Sequence, residues 1–309
     1  MTENLPKPVD RAEVTVLVDN YIDMFVPQAT SVDHRLPFDP DRHLLAEHGL
    51  SCLVRVVAGK HEHTILLDAG LSGICLLQNA RQLGIDLRAI EAVVLSHGHF
   101  DHTGGLAALF SGMGHQVPLI VHPDAFLARK LTGPRGEARL RPPDAVGLKK
   151  AGADIKIRKE VSTLAAGHIL VTGEVERSTP FERGFPGMEA YREDRWSADP
   201  ISDDQALVIN VKDRGLVVIS GCAHAGIINT VEYARKITGT GTVHAVMGGF
   251  HLTGPLFEPV IAPTIEAMKG IGPSYVVPMH CTGWEAINRF SAEMPGRCIL
   301  NTVGTSYRF

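Results

Sequence analysis

The sequence predicts an α/β protein with its chemistry at strand ends, and three observations carry that expectation. Short apolar runs bounded by Gly, Asp or Pro alternate along the chain with segments of helical spacing. Residues 96–105 read Ser-His-Gly-His-Phe-Asp-His-Thr-Gly-Gly directly after the apolar run 92–95, so three histidines and a carboxylate crowd one strand end. Later runs at 216–219, 244–247 and 275–277 also lead into Cys or His.

Strands are expected at 14–18, 53–57, 64–67, 92–95, 118–121, 206–211, 216–219, 244–247, 275–277 and 298–301. Helical spacing fits 73–83, 104–112, 123–131, 227–237, 258–271 and 282–294. Such alternation puts polar residues on loops at one edge of the sheets. Two stretches stand outside it: 132–144, rich in Arg, Pro and Gly, and 174–200, where charges mix with Phe181, Phe185, Tyr191 and Trp196. The second is long for a connection, and its aromatics suit a lid or substrate insertion, with Arg177, Phe181 and Trp196 as candidate substrate contacts.

A length of 309 residues alone suggests about two domains. A metal centre that draws on both His97 and His280 instead requires everything between them to fold together, so one domain over 1–309 is expected. A hydrophobic content of 44% with 31 Gly and 19 Pro fits a loop-rich α/β enzyme. The net charge of −4 gives no general basic surface, so nucleic acid is not an expected partner. No apolar run is long enough for a membrane span and residues 1–13 are polar, which leads us to expect a cytoplasmic protein with no membrane association. Five cysteines without paired spacing argue against a disulfide framework.

On an extended segment His97 and His99 point to one side, while Asp101 and His102 fall in the turn that follows. Two adjacent ligand pairs can hold two divalent ions. Imidazoles with one carboxylate suit zinc first, with manganese or iron as alternatives, and leave a position for water. His224 and His280, each just after an apolar run, are the further candidate ligands; a core histidine satisfied by hydrogen bonds is the competing reading for either.

His97, His99, Asp101 and His102 match the His-x-His-x-Asp-His signature, and here the chain resembles the metallo-β-lactamase superfamily. Leu66-Leu67-Asp68-Ala69-Gly70 is similar to the strand and Asp-x-Gly turn before that signature, and Val276-Val277-Pro278-Met279-His280 to the strand end carrying the last metal histidine. The resemblance runs from near Leu45 to the C-terminus and implies an αβ/βα sandwich of two stacked mixed sheets flanked by helices. Ala46-Glu47-His48-Gly49-Leu50-Ser51, Ser202-Asp203-Asp204-Gln205-Ala206-Leu207, Gly221-Cys222-Ala223-His224-Ala225-Gly226, Gly248-Gly249-Phe250-His251-Leu252 and His280-Cys281-Thr282-Gly283 resemble one subgroup. It is the subgroup of 7,8-dihydropterin-6-methyl-4-(β-D-ribofuranosyl)aminobenzene-5′-phosphate synthase.

The resemblance implies that Asp68 fixes the tautomer of a ligand histidine and that His48 approaches the site. Cys222 stands where most members carry an aspartate bridging two ions. Two roles compete there, a metal-bound thiolate or a small packed residue with His224 coordinating instead, and the second is the expectation. The place of the superfamily's third histidine holds Asp203 and Asp204, one of which is expected to complete a metal shell or bond a ligand histidine. His251 is assigned to substrate or acid catalysis, with a turn histidine bonded to backbone as the alternative, and Asp101 to metal binding and proton acceptance. The implied function is a metal-dependent hydrolase or transferase acting on a phosphate- or diphosphate-bearing small molecule, with a pterin-related substrate implied by this resemblance. Lactone, thioester or β-lactam hydrolysis is the alternative within the same chemistry, and a metal-stabilised binding or sensor protein without turnover is the alternative outside it.

Overall fold

Side-chain alternation sorts the strands of the computed structural model, which describes residues 5–133 and 136–309, into layers. Residues 1–4 of the polar N-terminal stretch and 134–135 of the Arg/Pro/Gly-rich stretch lie outside the described residues. In His61–Leu67, Ile65 and Leu67 join one buried cluster and Leu66 another; in Ala206–Val211, Leu207 and Ile209 part from Val208 in the same way. A strand that buries both faces must be covered on both. The cluster shared by the two sheets contains Val14, Val54, Leu67, Leu207, Ile219 and Met247. Outside the first sheet lie the helices Gly73–Gln82 and Leu106–Met113, which bury Leu76, Leu109 and Phe110. Outside the second lie Ile227–Thr238, Glu258–Ile271 and Trp284–Glu293, which bury Val231, Ile265 and Phe290. The result is the expected four-layer α/β sandwich.

The first sheet runs in the order Asp33–His34, Ser306–Arg308, Arg11–Val18, Ser51–Ala58, His61–Leu67, Ala92–Val94, Val117–Val121, Ala153–Ile157, and is parallel from His61–Leu67 onward. The second runs Ser162–Leu164, Ile169–Val171, Ala206–Val211, Gly215–Ser220, Val243–Gly249, Tyr275–Met279, with its last three strands parallel. Asp68, His97, Cys222, His251 and His280 all lie just beyond the carboxyl ends of these parallel strands, the edge where open α/β sheets place ligands. Four of these turns use a non-glycine residue in left-handed backbone: Asp68 (φ 59°), Ala223 (φ 53°), His251 (φ 46°) and His280 (φ 52°). No helix among the described residues is long and apolar enough to cross a membrane.

A third, four-stranded sheet was not foreseen. It runs Arg195–Ala198, Met188–Arg192, Arg129–Gly133, Gly136–Leu140, and unites the two stretches that stood outside the alternation. The helix expected at 123–131 is corrected to a 3-10 turn, Pro123–Phe126, followed by a strand. His122 Nδ1 accepts the Asp124 N–H and ends the turn's demand for partners, Leu127 is already extended (φ −70°, ψ 138°), and Arg129 to Leu131 pair with Ala190 to Met188. Tertiary strand pairing there outweighs helical spacing. The strand expected at 298–301 is reduced to a single bridge between Val276 and Cys298.

Candidate metal centre

Two sets of side chains meet at the carboxyl edge of the stacked sheets. His97, His99 and His224 form one, with ring centroids 4.4 Å (His97 to His99), 4.7 Å (His97 to His224) and 4.8 Å (His99 to His224) apart. Asp101, His102 and His280 form the other: Asp101 Oδ2 lies 3.8 Å from His102 Nε2 and 3.3 Å from His280 Nε2. The sets adjoin, since the rings of His97 and His102 are 4.3 Å apart.

Cys222 lies between them. Its sulfur is 3.2 Å from His102 Nε2 and falls within 4.8 Å of the donor atoms of Asp101, His102 and His280 on one side and of His97 and His224 on the other. This placement puts the sulfur within reach of both donor groups, where either of the two expected roles, metal-bound thiolate or small packed residue, has its partners at hand. His99 lies outside the tightest groups, although its ring completes the first set and its Nε2 is buried.

The donor atoms fit divalent ions. Nε2 of His97, Nε2 of His99 and both ring nitrogens of His224 are buried without a hydrogen-bond partner among the described residues, an arrangement that a protein rarely leaves unfilled. Burial, then the neighbouring imidazoles, hold His97 and His224 well below the usual histidine range, and burial with the Arg129 charge pushes His99 down to about 3. These imidazoles are neutral, the form that binds metal. Burial opposes the charge on Asp101, yet His102 and His280 outweigh it and hold the carboxyl below its usual range. At His102 burial is again outweighed, here by Asp68 and Asp101, and the imidazole is pushed up to about 9.

Nδ1 of His97, His102 and His280 is committed elsewhere, which turns the Nε2 of each inward. Asp68 Oδ2 sits 2.6 Å from His102 Nδ1, and the same carboxylate accepts the Ser96 N–H and Oγ–H, both at 2.7 Å. Ser96 Oγ also lies 3.0 Å from His97 Nδ1. His280 Nδ1 meets Asn20 Oδ1 at 3.1 Å, and its backbone N–H donates to Asp19 Oδ1 at 2.8 Å. Asp68 is thus placed where it can orient His102. Asn20, Asp19 and Ser96 were not foreseen: the first two follow the strand Arg11–Val18, far from the histidine-rich run, and only its proximity to that run could have flagged Ser96.

The other expected residues divide. His48 Nε2 reaches 3.5 Å from Asp101 Oδ2. The His251 ring packs 4.3 Å from His224, so His251 faces the centre, and Cys281, next to the candidate ligand His280 in the sequence, groups with it and Cys222. Asp203 and Asp204 do not replace the third histidine, whose place beside His97 and His99 is taken by His224. Asp203 is held between the Gly98 N–H and Arg129, and Asp204 Oδ2 accepts the Ala225 N–H at 2.8 Å, steadying the turn that carries His224. Trp196 packs on Tyr191 and beneath Lys130 Nζ in the third sheet, and Arg177 donates to Pro200 O, so neither is brought to the ligand cluster. Phe181 does line a cavity of about 200 Å³ that opens beside His224 and His251, with Arg183, Leu252 and Phe257. Phe185, unforeseen in this role, lies flat on His224 at 6.0 Å.

Two histidine-rich donor sets at the carboxyl ends of parallel strands, in a sandwich of stacked sheets flanked by helices, define a class of metal-binding α/β proteins. The chain belongs to the metallo-β-lactamase superfamily, whose profile matches residues 48–234. It is 33% identical over 253 residues to 7,8-dihydropterin-6-methyl-4-(β-D-ribofuranosyl)-aminobenzene-5′-phosphate synthase of Methanocaldococcus jannaschii, covering 80% of this chain and 85% of that one. Among solved structures it is similar to Tm1679, described as a metal-dependent hydrolase of the β-lactamase superfamily, with a TM-score of 0.74 and 26% identity over 96% of this chain and 98% of that one. A diphosphatase of the PhnP family shares the fold at a TM-score of 0.50 and 14% identity, over 97% of both chains.

Proposed function

We propose that this protein is a metal-dependent hydrolase or transferase with a dinuclear centre, acting on a small molecule that carries a phosphate or diphosphate group. The observation that carries this reading is the sharing of the Cys222 sulfur between the donor atoms of Asp101, His102 and His280 and those of His97 and His224. Two divalent ions, zinc foremost, would be held by these residues and His99, and when bound supply a nucleophile at neutral pH and a clamp for developing negative charge. The phosphate class is favoured by the likeness to a relative named as the synthase of an aminobenzene 5′-phosphate.

The chain's own residues do the rest. Asp101, held as a carboxylate, accepts a proton at Oδ2, and His48 Nε2, 3.5 Å away on a side chain 57% exposed, passes it to solvent. His251 presents a buried, unpartnered Nδ1 beside the cavity and serves as the acid for the leaving oxygen. Phe181, Leu252 and Phe257 enclose the organic part of the substrate and keep water from it.

Chelator-stripped protein reloaded with Zn²⁺ or Mn²⁺ tests the reading. The expected result is two ions per chain and turnover of bis(p-nitrophenyl) phosphate that is lost on stripping. Turnover of lactones or thioesters alone would move the substrate class, and tight metal binding with no turnover of any of them would make the protein a binding module.

A further inference from the structure

The segment joining His97 to His99 is held by a closed ring of contacts that passes through the third sheet. The Gly98 N–H donates to Asp203 Oδ2 at 2.7 Å. Asp203 Oδ1 takes Arg129 Nη2 at 2.5 Å, and Arg129 Nε reaches Asp199 Oδ2 at 2.6 Å. Asp199 Oδ1 accepts Arg192 Nη2 at 3.0 Å, and the same Nη2 reaches Asp124 Oδ2 at 2.8 Å. Asp124 belongs to the 3-10 turn Pro123–Phe126, and the carbonyl of Ala125 in that turn lies against Gly98 so closely that a Cβ there would come within 2.0 Å of it. Asp203 and Arg129, at the centre of the ring, are 0% and 1% exposed.

Buried charges of this kind hold one geometry only when every partner is present, because removing one leaves an uncompensated charge. Arg129 stands on the strand Arg129–Gly133 and Arg192 on Met188–Arg192, while Asp199 follows Arg195–Ala198. The third sheet therefore supplies both guanidinium groups and one carboxylate to a metal-ligand loop that belongs to the first sheet.

We propose that Arg129 is a positioning residue for the His97/His99/His224 half of the centre. It pins Asp203 Oδ1, which leaves Oδ2 aimed at the Gly98 N–H and fixes the spacing of the two rings on either side of that glycine. The inserted sheet is on this account a strut for one half of the centre and leaves the Asp101/His102/His280 half, oriented by Asp68 and Asn20, untouched. The inference rests on the metal-binding part of the proposed function, and its test reads metal affinity and a backbone amide, so the two can fail separately.

The test compares the full chain with Arg129→Met, Arg129→Lys and Asp203→Asn. Zn²⁺ is titrated against a chromophoric chelator in a His280→Ala background, which reads the first half, and in a His224→Ala background, which reads the second. Amide exchange at Gly98 is followed in the metal-free chain. We expect Arg129→Met to weaken the first half about 10–100-fold, with Lys restoring part of the loss, the second half unchanged, and the Gly98 amide losing protection. Equal loss in both halves, or wild-type affinity and protection in Arg129→Met, overturns the proposal. If Arg129→Met does not fold, wild-type behaviour of both Arg129→Lys and Asp203→Asn overturns it equally. If the wild-type chain takes up no ion in the first half, the functional reading fails, and exchange at Gly98 still decides the role of Arg129.

Discussion

Asn20 and His280, 260 positions apart, hold each other at two points: Asn20 Oδ1 lies 3.1 Å from His280 Nδ1, and Asn20 Nδ2 donates to the His280 carbonyl at 3.2 Å. The first contact makes Nδ1 the protonated nitrogen and leaves Nε2 free toward Asp101. Asn20→Ala removes the tautomer lock and the backbone tie together. We expect metal affinity in the Asp101/His102/His280 half to fall about 10–100-fold, as read by competitive titration, with a far-UV spectrum unchanged from wild type.

Cys222 offers a spectroscopic test. A thiolate shared by both donor groups gives a sulfur-to-cobalt charge-transfer band in the Co²⁺-substituted protein, and Cys222→Ser should abolish it while weakening retention of at least one ion, since a hydroxyl is a far poorer ligand than a thiolate. A cobalt spectrum that is the same in Cys222→Ser and wild type would return Cys222 to a packing role.

His102 sets a pH dependence for the metal-free chain. Its folded pKa of about 9, raised by Asp68 and Asp101 against burial, stands above the ordinary histidine value of 6.5. The stabilisation is therefore fully present below about pH 6.5 and is lost as pH rises through about 9, on the order of 3 kcal/mol in all. Thermal unfolding of stripped protein should show a falling midpoint across that interval, and His102→Gln should flatten it. Zn²⁺ affinity in the same half should move the opposite way and rise with pH, because the ligand nitrogen must shed its proton.

Gly98→Ala should fail for a steric reason. The added carbon meets the Ala125 carbonyl oxygen at 2.0 Å, and that obstacle is backbone with little room to retreat. A cost of about 1–3 kcal/mol is expected in denaturant unfolding, together with loss of the ion held by His97 and His99; an unfolding midpoint equal to wild type would show that the turn can move aside.

The ligand run was legible because His97, His99, Asp101 and His102 are contiguous and follow an apolar strand, so local periodicity alone brought them together. Single strand-end residues such as His224 and His280 could be named for the same reason. Asn20 and Arg129 could not, since an asparagine after one strand and an arginine at the start of another look like any polar boundary until the sheets stack. The third sheet was hidden because Arg-Lys-Leu-Thr-Gly and Gly-Glu-Ala-Arg-Leu carry too few apolar residues to show alternation, and the pairing of the first with Met188–Arg192 is fixed by tertiary contacts. Order along the chain does not give order in space: Asp203 and Asp204 stand before the strand Ala206–Val211 and bind the turns at Gly98 and Ala225, whereas the turn after Gly215–Ser220 delivers His224 to the position beside His97.

Left-handed backbone at Asp68, Ala223, His251 and His280 puts an unfavourable conformation at four of the strand ends around one opening. Each such residue costs on the order of 1–2 kcal/mol, so this edge of the sandwich is raised in free energy before any ligand arrives. On heating, the molecule should therefore loosen from its chemical end, with the mouth fraying while the central strands keep their amide protection. Occupancy of the centre then acts as the latch that makes the two ends melt together.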